Sequence, residues 1–178
     1  MERAIISVIL LSFSILCYGQ PLQKDTLKPT VYIFMLEECV ICQNYCPKIN
    51  TIYEDYHDKF NFLLVFPSFI SKPSTIEKFY KDYNIKIPYK TDFYKTLVNK
   101  FDVNVTPEVV IYDPKQESVL YKGRLDNSFF ALGKRRKSGI STDLVIAIEQ
   151  ILSGQSPRPS STQAIGCIIN RDELEDKR

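Results

Sequence analysis

The chain has one histidine and no tryptophan in 178 residues, which narrows the chemistry open to it. A metal centre built on imidazole nitrogens is excluded, because His57 has no histidine partner. His57 falls in Tyr56-His57-Asp58 on the polar side of a predicted helix, roughly 16 Å along the axis from Cys46, and reads as a solvated surface residue. The 11 Tyr and 11 Phe are spread at core spacings, which signals packing and not stacking on bases. Charge of one sign is also missing. With 23 basic against 21 acidic residues and a net charge of +2, nothing points to nucleic acid or an acidic polymer as partner. The run Lys134-Arg-Arg-Lys137 is short, follows a glycine and reads as solvated surface. No internal repeat is present.

The chain does have an apolar N-terminal stretch, Ala4 to Gly19, behind Met1-Glu2-Arg3. Its length suits a signal h-region and is short for a membrane span. Small residues at Cys17 and Gly19 suit positions −3 and −1, so residues 1–19 are expected to be a signal peptide cleaved before Gln20. Lipidation at Cys17 is disfavoured by the bulky Leu16, and membrane association is expected only if the leader is retained. The expected destination is the periplasm or another extracytoplasmic space, where disulfides persist. Cys17 departs with the leader. Cys39, Cys42, Cys46 and Cys167 remain, and four cysteines allow three pairings.

Cys39-Val-Ile-Cys42 lies where the apolar run Thr30 to Leu36 gives way to a helical pattern. A strand that feeds a helix N-terminus aims backbone N–H groups and the positive end of the helix dipole at the first thiols. Both favour thiolate over thiol. Two cysteines three apart can also close a disulfide, which makes the site a two-electron switch. Cys39, at the end of the loop, is expected to be the more exposed and reactive thiol. The adjacent carboxylate of Glu38 acts in the other direction and makes Cys39 less acidic.

Residues 20–154 read as one α/β domain. A strand over Thr30 to Leu36 is followed by a helix from Val40 to Lys59, with Ile41, Tyr45, Ile49, Ile52, Tyr53 and Tyr56 on one stripe and Pro47 inside it. Asn61 to Pro67 is a nearly continuous apolar run, the pattern of a central parallel strand. A helix from Lys72 to Tyr83 follows, then an extended link from Ile85 to Thr91 and a short helix from Asp92 to Phe101 capped by Asp92. Glu108 to Asp113 and Ser118 to Gly123 form an antiparallel hairpin about the turn Asp113-Pro114-Lys115-Gln116. A last helix spans Thr142 to Leu152, with Gly154 as its stop. This order implies a central mixed sheet with helices on both faces. Residues 155–178 form a C-terminal extension that carries Gly166-Cys167, and its charged end is expected to be disordered.

With CxxC after the first strand and Val105-Thr106-Pro107 before the hairpin, the chain resembles a thioredoxin-fold protein. The resemblance implies a cis Thr106–Pro107 bond facing the cysteine pair. Within that fold it is similar to a redoxin-domain (peroxiredoxin/thioredoxin-like) branch of exported bacterial proteins. The matching stretches are Glu38-Cys39-Val-Ile-Cys42-Gln-Asn-Tyr45-Cys46-Pro47, Thr106-Pro107-Glu108, Tyr121-Lys-Gly-Arg124-Leu-Asp126, Leu132-Gly-Lys-Arg-Arg136 and Gly166-Cys167. The chain departs from the branch at Cys42, which replaces a serine, at Cys46, which replaces a small residue, and at Val40, which replaces a proline. The first change converts a single-cysteine site into CxxC and favours disulfide exchange. A peroxidase reading fails on the Thr-x-x-Cys motif, because Cys39 stands where its threonine belongs. The tryptophan usual before a thioredoxin CxxC is replaced by Glu38.

The function expected from these features is that of an exported thiol–disulfide oxidoreductase acting on protein thiols or disulfides without a cofactor. Cys39 attacks, Cys42 resolves and Pro107 shapes the substrate groove. The alternative is a non-catalytic thioredoxin-like module with structural disulfides or a Cu(I) or Zn(II) thiolate site, since Cys42-x-x-x-Cys46-Pro47 also resembles the motif of Sco-type copper chaperones. Arg124 and Asp126 are expected to anchor the basic loop as an ion pair. Ile165, Ile168 and Ile169 should not be left in water, so the segment around Cys167 is expected to dock on the domain. Its disulfide partner stays open between two possibilities. Cys46 remains by default if Cys39 and Cys42 pair, whereas the family pattern implies Cys39.

Overall fold

The computed structural model describes residues 27–171. Residues 1–26, which include the stretch expected to be a signal peptide, and the charged end of the chain, Asp172 to Arg178, lie outside the described residues.

The central sheet has the strand order β3-β2-β1-β5-β6. Apolar β1 (Thr30–Phe34) and β2 (Asn61–Phe66) run parallel, as do β2 and β3 (Tyr89–Thr91). β5 (Glu108–Asp113) is antiparallel to β1 and to β6 (Ser118–Gly123). Because side chains alternate along a strand, each strand feeds two cores. Val31, Ile33, Leu64 and Ile111 face a large cluster that receives α1 (Val40–Tyr56), α2 (Pro73–Asp82) and α4 (Asp143–Leu152). Phe34, Val65 and Val110 face the other way, onto α3 (Thr96–Phe101) and Ile169. The expected mixed sheet flanked by helices is the architecture found.

α1 buries Ile41, Tyr45, Ile49 and Ile52 on one stripe, and the same stripe buries Cys42 and Cys46. At roughly 1.5–3 kcal/mol per large apolar side chain, this stripe fixes the rotation of α1 on the sheet. The helix runs on through Pro47 and stops at Tyr56, short of the Lys59 that periodicity suggests. Asp92 does cap α3, but from a distance: its carboxylate accepts the Leu97 and Val98 N–H groups while the helix itself starts at Thr96.

Five short strands go beyond the expected set: β3, which forms at the end of the expected extended link, and two pairs. β4 (Val105–Thr106) pairs antiparallel with β9 (Cys167–Ile168), and β7 (Phe129–Ala131) with β8 (Lys134–Arg135). The β7–β8 hairpin holds the basic run, whose Arg135 and Arg136 lie over the rings of Phe129 and Phe130. Arg124 does not pair with Asp126. Its guanidinium binds Asp143 at the start of α4 (2.9 Å), and Asp126 turns inward to Tyr45 and Lys48 on α1.

The extension beyond α4 follows the edge strand β6. Lys122 exchanges backbone hydrogen bonds with Ser160 and Thr162, and the Thr162 hydroxyl bonds Tyr121 and the Arg124 N–H. This contact requires Gly123. At φ +148° a side chain is strained, and an added Cβ would stand 2.2 Å from the Thr162 carbonyl oxygen. Gly123→Ala is expected to lower the stability of the oxidised protein by about 1–3 kcal/mol, read as a fall in urea midpoint. An unchanged midpoint would mean that this crossing is looser than drawn.

Candidate functional site

The site is assembled where the end of β1, the start of α1, β4 and β9 meet. The chain leaves β1 through Met35 and Leu36 and turns back, with the Cys39 N–H bonded to the Leu36 carbonyl (3.0 Å). Cys39 is therefore the residue that precedes the first turn of α1, and the Gln43 N–H bonds its carbonyl (3.0 Å). Gln43 also reaches back with its amide to the Glu37 carbonyl (2.8 Å). Glu37 is buried and accepts hydroxyl hydrogen bonds from Ser71 (2.6 Å) and Thr75 (2.7 Å), which ties the turn to α2. Sequence reading missed Glu37. Its neighbour Glu38 is exposed, and nothing local distinguishes the two.

Cys39 forms a disulfide with Cys167, across 128 residues and a Cα–Cα distance of 6.2 Å. This decides between the two pairings left open for Cys167. Cys46 is free because it lies on the buried stripe of α1, where its thiol donates to the Cys42 carbonyl (3.3 Å). Cys42 is free as well, so the CxxC pair is not the disulfide of this state. Nor is Cys39 exposed. It is 2% accessible, because β9 and the Cys167 side chain cover it.

Thr106 and Pro107 stand opposite. Their peptide bond is cis, and the Cys39 sulfur lies 3.3 Å from the Thr106 carbonyl oxygen. The Thr106 N–H and carbonyl belong to the strand that pairs with β9, in the register Thr106 to Cys167 and Val105 to Ile168. Among the described residues the buried Thr106 hydroxyl meets no oxygen or nitrogen partner; it lies against the Cys42 sulfur, to whose thiolate it can donate.

Burial pushes the Cys42 thiol up to about 12, partly opposed by hydrogen bonding from the Leu36 backbone and the Thr106 hydroxyl to the thiolate. Burial also raises Cys46 to about 12, with the neighbouring Cys42 adding to the effect. In this oxidised state burial therefore holds both thiols protonated at neutral pH. The docked tail brings Ile169 into the second core and leaves Ile165 half-buried, but Ile168 stays 83% exposed. The expectation that all three dock fails at Ile168 because alternate residues of a strand face opposite ways. His57 sits exposed at the end of α1, its ring against Tyr53. No group of three or more potential metal ligands occurs among the described residues, and no helix among them is long and apolar enough to cross a membrane.

Behind the cysteines, Asp126 is buried and binds the Tyr45 hydroxyl (2.5 Å), the Ser128 N–H (2.7 Å) and the Lys48 ammonium. Burial acts to raise its pKa, but the hydrogen bonds from Lys48, Tyr45 and Ser128 outweigh it and hold the carboxyl below its usual range.

Residues 26–119 match a protein-family model described as thioredoxin-like. No curated protein matches the chain. Among solved structures, an uncharacterized conserved protein from Geobacillus kaustophilus superposes with a TM-score of 0.69 at 21% identity, over 81% of this chain and 77% of its own. A hypothetical protein from Sinorhizobium meliloti 1021 does so at 0.68 and 18% identity, over 81% and 80%. A thioredoxin-like protein solved in its oxidized form gives 0.54 at 21% identity, over 72% and 80%. These likenesses are of fold.

Two outcomes follow from the site. Native oxidised protein at pH 8 should take up almost no iodoacetamide at Cys42 and Cys46, and both should alkylate readily in denaturant; ready labelling of the native protein would contradict their burial. The second concerns Asp126. Its folded pKa lies below the unfolded value, so its stabilisation is present above the ordinary carboxylate range, near 4, and is lost as pH falls through the folded value. Asp126→Asn is expected to cost about 1–3 kcal/mol at pH 7 and to flatten the acid limb of the urea midpoint against pH. An acid limb identical to wild type would show that Asp126 does not contribute to it.

Proposed function

The chain belongs to the thioredoxin-like family, and from that premise we propose that it is an exported thiol–disulfide oxidoreductase in which Cys39 is the exchanging sulfur. One observation carries the reading. Cys39 stands at the helix N-terminus against Thr106–Pro107, joined to Cys167 in a tail and three residues from a second thiol, Cys42. A sulfur with two alternative partners can pass a disulfide from one to the other.

In the resting oxidised state the exchangeable bond is Cys39–Cys167. An incoming protein thiolate attacks Cys39 and expels Cys167. A second substrate thiolate then attacks the substrate sulfur, which closes a substrate disulfide and frees Cys39. In the opposite direction the reduced Cys39 thiolate attacks a substrate disulfide. Cys42 resolves that mixed disulfide by attack on Cys39, which closes Cys39–Cys42 and releases the substrate as a dithiol. Burial keeps Cys42 protonated while the tail is docked. Pro107 forms the wall opposite the cysteines. The substrates are protein thiols or disulfides of an oxidising compartment, reached through the apolar leader Ala4 to Gly19.

A second reading has its own observation. Cys39 is nearly inaccessible and both free thiols are buried, as in a module where the disulfide only tethers the tail. The two readings differ in reducibility. A structural disulfide resists reduction with a potential below about −300 mV, whereas an exchanging one does not. Purified oxidised protein equilibrated with graded dithiothreitol should release the Cys39 and Cys167 thiols above that potential. Cys39→Ala should abolish disulfide transfer to a reduced dithiol substrate, Cys46→Ala should leave it intact, and Cys42→Ala should prolong the mixed disulfide. A bond that stays closed under these conditions would leave the tethering module as the reading.

A further inference from the structure

We propose that the edge of β4 is a docking strand for extended polypeptide and reads segments of the pattern Gly-Cys-x-apolar, with Gly166-Cys167-Ile168-Ile169 as the resident occupant. The inference rests on the reading of Cys39 as an exchanging sulfur and names the substrate class of that same site.

Four observations define the pattern. Cys167 is paired with Thr106 in an antiparallel ladder, the mode in which an edge strand accepts an added strand, and this ladder brings its sulfur to Cys39. The residue before the cysteine has no room for a side chain: a Cβ on Gly166 would stand 2.1 Å from the Thr106 carbonyl oxygen and 3.1 Å from the Pro107 nitrogen. The residue after it, Ile168, is 83% exposed, so that position is not read. The next, Ile169, is buried with Phe34, Val65, Val98, Phe101, Val103 and Val110, and its N–H bonds the Asn104 carbonyl (3.0 Å). Two residues further, Arg171 binds the Asp102 carboxylate (2.8 Å) and the Val103 carbonyl (3.0 Å). Backbone pairing supplies generic affinity. Glycine and the apolar residue supply the selectivity, and the arginine adds a surface ion pair with the exposed Asp102.

A segment of this kind from another protein takes the tail's place as follows. Its cysteine thiolate attacks the Cys39 sulfur, the Cys39–Cys167 bond breaks, and Cys167 leaves as a thiolate that takes a proton from water. A second thiolate of the substrate then attacks the substrate sulfur of the mixed disulfide, which closes a substrate disulfide and frees Cys39. One protein disulfide becomes two thiols and one substrate dithiol becomes a disulfide, with two electrons passed to the protein. The tail is thus an intramolecular competitor for its own substrates.

The test uses the full chain carrying Cys167→Ser, reduced, and nonapeptides copying residues 163–171 whose cysteine is activated as a thiopyridyl disulfide. Release of thiopyridone reports attack by Cys39, and mass spectrometry locates the adduct. The glycine peptide is expected to react roughly tenfold or more faster than one with alanine before the cysteine. A peptide with aspartate in place of the isoleucine that copies Ile169 should lose a similar factor, and one altered only at the isoleucine that copies Ile168 should not. Equal rates for the glycine and alanine peptides, with Cys39 reacting normally with dithiodipyridine, overturn this proposal and leave the exchange reading standing. A Cys39 inert to dithiodipyridine as well overturns both. Should the variant not fold, the wild-type oxidised protein challenged with the reduced peptides gives the same comparison through its Cys39–peptide adducts.

Discussion

The Thr106–Pro107 peptide is the point at which segments 128 residues apart, around Cys39 and Cys167, meet. The Cys39 sulfur rests on its carbonyl, Gly166 crosses it within van der Waals contact, β9 pairs with the strand that leads into it, and the Thr106 hydroxyl lies against Cys42. Cys39, Cys42 and Cys167 are therefore all placed against one backbone unit. Backbone cannot be moved by choosing another rotamer, which makes this a stiffer reference than any side chain.

The energetic consequence is uneven. In the chain-entropy model a disulfide that closes a loop of this length constrains the unfolded chain by about 4–5 kcal/mol, comparable with the whole stability of a small domain. Local order around the cysteines does not come from that bond alone. It also comes from the stripe of α1 packed on the sheet and from Asp126, which fixes α1 through Tyr45 and Lys48. These contacts remain in place when the Cys39–Cys167 bond is opened, so the frame that positions Cys39 does not depend on it. The edge strand β6 is meanwhile shielded by residues 160–162, which limits strand addition from other molecules.

The sheet and its main helices were legible because they are written in local patterns. The nearly continuous apolar run that follows Asn61 announces a strand buried on both faces, and the spacing of Ile41, Tyr45, Ile49 and Ile52 announces the buried stripe of α1. Thr106 and Pro107 were legible only through family resemblance, since composition says nothing of their position opposite Cys39. What escaped was set by tertiary contact. Two-residue strands such as β4 and β9 carry no periodicity, and Asp126 could not be told from a partner of Arg124 without knowing that it faces α1. The exposure of Cys39 was misjudged for the same reason, because its cover comes from residue 167.

The tail is fastened twice, at Ser160 to Thr162 along β6 and again at β9. When the second fastening opens, the first still holds, and only the few residues between Thr162 and Cys167 are released. Fully extended they span roughly 17 Å. Cys167 is then confined to a small volume around Cys39, and a leash this short corresponds to an effective concentration on the order of millimolar. In a mixed disulfide on Cys39 any external thiol meets a competitor that never diffuses away, so the lifetime of that adduct is governed by the leash, whereas closing the bond from two free thiols still consumes an oxidant.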